Sequence, residues 1–86
     1  MRLNRYDQPV LAVINAANNL VGQTVHAVYF RDEWRAQGCG DGKMWDALDL
    51  VAECHPEAIQ IIYQTKPCSY VEVFIKVLEP IQLKYK

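Results

Sequence analysis

The sequence predicts an α+β fold: a two-layer sandwich in which two helices pack on one face of a largely antiparallel sheet of about four strands, in the order α-β-α-β-β-β. Three observations carry this expectation. Two stretches repeat their apolar residues at helical spacing, four others alternate or are rich in β-branched residues, and a short proline-containing turn joins two of the latter.

The first helix is expected after Asp7, which can cap it, with Pro9 inside the first turn and Gly22 past the last. Val10, Val13, Ile14, Ala17, Leu20 and Val21 form its apolar stripe, and Gln8, Asn15, Asn18 and Asn19 form an opposite face without charge. That face reads as an ordinary polar surface, or as one that meets a partner where unpaired charge is costly. Thr24 to Phe30 reads as a strand, because it is rich in β-branched and aromatic residues and lacks Gly and Pro. Residues 31–43 turn polar and glycine-rich and are expected to form a long loop, in which Asp41 can cap the helix that follows.

A second helix is expected from Lys43 to Cys54, with Met44, Leu48 and Val51 inward and Asp46, Asp49 and Glu53 outward, ended by Pro56. Ile59 to Gln64 and Tyr70 to Leu78 then form a hairpin around Thr65, Lys66, Pro67, Cys68 and Ser69. In its second strand Val71, Val73, Ile75 and Val77 are expected to face the core, leaving Tyr70, Glu72, Phe74 and Lys76 on the other side. Past Pro80, the alternation of Ile81, Leu83 and Tyr85 with Gln82, Lys84 and Lys86 suggests a fourth strand.

Composition narrows the function. The chain has 86 residues, 51% of them apolar and 22% charged, with net charge −1, which fits one folded domain over 1–86 rather than a disordered chain. A near-neutral chain of pI about 6.0 lacks the basic footprint of a DNA-binding module. The longest apolar run, Val10 to Ile14, is far short of the roughly 20 residues of a membrane span, and Asn15 interrupts it before a signal-peptide core is complete. The chain therefore reads as unprocessed and cytoplasmic.

The three cysteines, Cys39, Cys54 and Cys68, are an odd set with no C-x-x-C pair, so free thiols are expected, with no disulfide framework, no structural metal and no cofactor. The run Gly38-Cys39-Gly40-Asp41-Gly42-Lys43 superficially resembles a phosphate cradle. It fails the pattern G-x-x-x-x-G-K-[ST], because Gln37 and Met44 stand where Gly and Ser or Thr are needed. It also fails G-x-G-x-x-G, and Asp41 would repel a phosphate.

No catalytic residue is assigned. A nucleophilic cysteine needs a neighbouring base, and the two histidines read as a sheet residue, His26, and a helix-end residue, His55. The candidate binding residues are Arg31, Trp34, Arg35 and Trp45, since Trp and Arg are the types most enriched at binding hot spots. Buried, Trp34 and Trp45 would instead be lids over the core.

Two helices can cover only one face of the sheet. Tyr70, Phe74, Lys76 and Ile62 are therefore the candidate dimer interface, with Gln60 and Gln64 beside them. The functional expectation is a small non-catalytic module that self-associates as a homodimer, through this face or an exposed edge strand, and binds another macromolecule. The alternative is a small-ligand binding protein or minor enzyme with its site between the 31–43 loop and the second helix. A nucleic-acid platform on Tyr70, Phe74 and Lys76 is a third reading, and the near-neutral charge counts against it.

Overall fold

In the computed structural model, residues 8–38 and 41–82 are described. Helix α1 spans Gln8–Asn18, strand β1 Thr24–His26, helix α2 Ala27–Arg35, helix α3 Met44–Cys54 after a 3-10 turn at Asp41–Lys43, and strands β2 and β3 Ile59–Thr65 and Val71–Val77. The fold is α+β, with three α-helices and a three-stranded antiparallel sheet among the described residues, where two helices and about four strands were expected.

The additional helix comes from the segment expected to continue as strand and loop. β1 stops at His26, whose side chain caps α2 by accepting the Val28 N–H at Nδ1, 3.1 Å away. Helical spacing then puts Phe30 and Trp34 on one face four residues apart, and both are fully buried. Burial of two large aromatic side chains outweighs the weak β preference of Thr24 to Phe30. The loop expected over 31–43 is correspondingly shorter, since α2 runs to Arg35.

The first expected helix packs along α2 and α3. That setting buries Ala12 and Ala16 as well as Val10, Val13, Ile14, Ala17 and Leu20, while Val21 is exposed. Asp7, the expected cap, lies outside the described residues, as does Cys39. The N-cap position of α3 is Lys43, without a side-chain cap hydrogen bond. Met44, Leu48 and Val51 are buried as the periodicity indicates, and Asp46, Asp49 and Glu53 are exposed.

Among the described residues the sheet order is β1-β3-β2, which makes β2 an edge strand. Pairing places Ile59 opposite Val77, Ile61 opposite Ile75 and Val25 opposite Ile75 on its other side. These residues and Val73 face the helices and join one core with Phe30, Trp34, Leu48 and Ile14. The hairpin turn is closed by the Lys66 N–H on Tyr70 O at 2.8 Å and the Ser69 N–H on Lys66 O at 3.0 Å. Pro67 follows the first residue of the turn and Ser69 adopts a positive φ of 66°, the arrangement of a three-residue hairpin loop.

Val71 was expected in the core and is 52% exposed. The hairpin tip extends past the helices, consistent with an elongated molecule of 48 × 26 × 22 Å. No fourth strand is present at 81–82; Ile81 is buried in the core in an irregular segment, and Leu83 and Tyr85 lie outside the described residues.

Candidate functional site

Strand pleating turns alternate residues to opposite faces, so the register fixes the composition of the face turned away from the core. Across it run Thr24 and His26 on β1, Glu72, Phe74 and Lys76 on β3, and Gln60, Ile62 and Gln64 on β2. Phe74 is at the centre, opposite both His26 and Ile62. The His26 ring meets it edge-on, with centroids 5.3 Å apart and planes at 80°. Ile62 is 37% exposed, and Tyr70, one residue ahead of β3, is 52% exposed. Its hydroxyl donates to Glu72 Oε1 at 3.4 Å, and Lys66 Nζ lies 4.0 Å from the other carboxylate oxygen. The face thus combines an apolar centre of Ile62 and Phe74 with a rim of Lys76, Glu72 and Tyr70.

The other candidates, Arg31, Trp34, Arg35 and Trp45, differ in burial. Trp34 is fully buried in α2, and its Nε1–H points at the Pro9 carbonyl 3.5 Å away, which gives the indole its polar outlet. Trp45, at the start of α3, is 41% exposed. Arg31 is half-buried, with its Nε enclosed and without a hydrogen-bond partner, and Arg35 is exposed at the end of α2.

His55 closes α3, its N–H on Val51 O, and its Nδ1 lies 3.7 Å from Glu57 Oε1. Beside it a cleft between α1 and α3 is lined by Val10, Ile14, Leu50, Val51, Cys54 and His55. Its interior of about 20 Å³ accommodates one water molecule rather than a metabolite. Cys54 and Cys68 are free and exposed. Among the described residues no group of three or more His, Cys, Asp or Glu side chains is placed to hold a metal ion, and no helix is long and apolar enough to cross a membrane.

No protein-family model, curated protein or solved structure matches this chain at a significant level. The functional reading therefore rests on the surface itself. Sequence reasoning missed one part of it, the His26 contact with Phe74. The signal was available in the alternation of His26 with Val25 and Ala27, which places the ring on the same side as Phe74 once the two strands pair.

Proposed function

We propose that this chain is a small non-catalytic interaction module that self-associates through its sheet and docks another protein on the sheet's outward face. The reading treats the fold as a two-layer arrangement, helices on one side and an open face on the other. One observation carries it: Ile62 and Phe74 are cross-strand partners on the side turned away from the core, with the exposed Tyr70 at their rim. A contiguous apolar centre with a polar rim is the composition of an association surface. Lys76 and Glu72 at the rim give such a contact orientation, while charged groups are absent from its middle. Of the remaining candidates, Trp45 and Arg35 present side chains to solvent and are retained as secondary contacts. Exposed free thiols at Cys54 and Cys68 favour a reducing compartment, hence a cytoplasmic setting.

The experiment is sedimentation velocity at micromolar protein. A mass of twice 9.9 kDa supports self-association, and a mass of one chain at every concentration overturns it.

A further inference from the structure

Among the described residues no strand pairs with the outer edge of β2, and that edge carries a second, independent pattern in its backbone. The Leu78 N–H donates to Ala58 O and the Lys66 N–H to Tyr70 O, each at 2.8 Å, and both contacts continue the β2–β3 register. In an antiparallel ladder hydrogen-bonded and non-hydrogen-bonded pairs alternate. Gln60, Ile62 and Gln64 therefore direct their backbone groups at β3, whereas Ile59, Ile61, Tyr63 and Thr65 direct theirs at the open edge. The Ile59 N–H is already taken by His55 O at 3.1 Å, and Ile59 is 1% exposed. Beyond Ile59, the edge presents the N–H and C=O of Ile61, Tyr63 and Thr65, with Tyr63 and Thr65 exposed.

Natural sheets guard such edges with charge, proline or bulges. Residues 59–65 contain no charged residue and no proline, and pair with β3 without a bulge. A strand without charge suits a two-fold contact, in which the residue on the axis meets its own copy and its neighbours meet one another reciprocally.

We infer that β2 pairs antiparallel with β2 of a second copy of this chain, Tyr63 opposite Tyr63 on the two-fold axis, giving a continuous six-stranded sheet. This inference rests on the self-association reading above and specifies its geometry. In this register Ile61 lies opposite Thr65 of the second copy and Thr65 opposite its Ile61, so the edge groups of Ile61, Tyr63 and Thr65 are paired on both copies. Sliding the strands by two residues in either direction leaves one of these pairs unmade, and sliding by one sets paired groups against unpaired ones. No like charges meet: on the outward face Ile62 lies beside Gln64 of the second copy, and Gln60 beside its Lys66. On the other face the Tyr63 side chains, each 65% exposed, come together as a cross-strand aromatic pair. The outward faces of the two sheets join, so the apolar centres around Ile62 flank a common axis.

The test uses the full chain with Cys39, Cys54 and Cys68 replaced by Ser, in two variants carrying Ile62→Cys or Gln64→Cys. Positions 62 and 64 oppose one another as a non-hydrogen-bonded pair, with Cα atoms about 4.5 Å apart, within disulfide reach, whereas two copies of position 62 lie diagonally at about 7–8 Å, beyond it. Mild oxidation of the mixed variants is expected to give a covalent dimer, and oxidation of each alone to give little. In parallel, Tyr63→Lys and Tyr63→Pro are measured by sedimentation in the otherwise unaltered chain. Both alter an exposed position whose N–H is not used within the chain, so the fold measured by circular dichroism is expected to persist while the mass falls from two chains to one.

A parent that dimerises, keeps its dimer in both Tyr63 variants and loses it in Tyr70→Asp overturns the edge pairing and leaves the face-mediated reading standing. A parent that dimerises without 62–64 cross-linking in the mixture also overturns the register. A monomeric parent overturns both.

Discussion

The carboxamide of Asn18 closes on the backbone of Ile81 with both of its polar atoms. Its Oδ1 accepts the Ile81 N–H at 2.8 Å and its Nδ2 donates to the Ile81 carbonyl at 3.0 Å. The pair spans 63 residues of sequence and ties the end of α1 to the segment that follows β3. It does for this irregular stretch what a neighbouring strand would do, satisfying a donor and an acceptor while the Ile81 side chain enters the core at 4% exposure. Asn19 is engaged too, its Nδ2 donating to Glu33 Oε2 of α2 at 3.4 Å. Part of the uncharged asparagine face of α1 is thus spent within the chain.

Asn18→Ala is expected to remove both bonds and leave the Ile81 groups underpaired, at about 1–3 kcal/mol. For a chain of this size that corresponds to a melting temperature lower by roughly 4–8 °C per kcal/mol. Asn18→Asp, which keeps the acceptor and loses the donor, is expected to fall between. Thermal melts followed by circular dichroism decide the matter; a parent-like melt for Asn18→Ala would remove the clamp from the account of the fold.

The junction at His26 yields a second expectation. Its imidazole accepts the Val28 N–H and also packs edge-on against Phe74, so one side chain both starts α2 and anchors β1 to β3. His26→Ala loses the cap and the ring contact, with an expected cost of about 1–2 kcal/mol. His26→Asn restores the cap alone and is expected to recover part of that loss in urea denaturation. Equal loss in the two variants would mean that the ring contact with Phe74 carries the whole effect.

The two tryptophans are expected to respond in opposite ways. Trp34 is fully buried and Trp45 is 41% exposed. Trp34→Ala empties a large core site at about 3–5 kcal/mol, a large part of the roughly 5–15 kcal/mol that holds a typical domain together. Trp45→Ala is expected to change stability by less than about 1 kcal/mol. Iodide quenching of the single-tryptophan variants Trp34→Phe and Trp45→Phe is an independent check, in which the protein retaining Trp45 is quenched more strongly. The reverse order of quenching would contradict the burial assigned to both.

How far these features could be read in advance depends on the range of the interaction that decides them. The hairpin of β2 and β3 is set by neighbours in sequence, Pro67 and a tight turn between two strongly β-forming runs, and its alternation separates Phe74 and Lys76 from Ile75 and Val77 correctly. The outward cluster was legible for the same reason. The segment after Thr24 was not, because its choice between strand and helix turns on whether Phe30 and Trp34 find a cavity among α1 and the sheet, a tertiary matter that local propensity does not express. The spacing of those two aromatics by four and a capping side chain at His26 were the available signals, and the β-branched run around them carried more weight. Ile81 shows the same limit. Its alternation with Gln82 suggested a strand, whereas its backbone is satisfied by an asparagine side chain of α1.

Backbone conformation supplies the last expectation, at two positions with positive φ and opposite consequences. Gly22 has φ 84°, and its N–H donates to Val77 O at 2.8 Å where the chain leaves α1 and enters the sheet. A Cβ there would meet no atom within 4 Å, so the cost of Gly22→Ala is conformational, about 1–2 kcal/mol. Ser69, with φ 66°, holds the left-handed position of the hairpin turn without being glycine. Ser69→Gly relieves that strain, and glycine's extra chain entropy in the unfolded state offsets part of the gain, so a net stabilisation below about 1 kcal/mol is expected. Because the turn lies at the tip of the hairpin, the gain belongs to β2 and β3 and is expected as slower amide exchange at Ile62 and Phe74 rather than in α1. Stabilisation by Gly22→Ala, or faster exchange in the hairpin of Ser69→Gly, would contradict this assignment of strain.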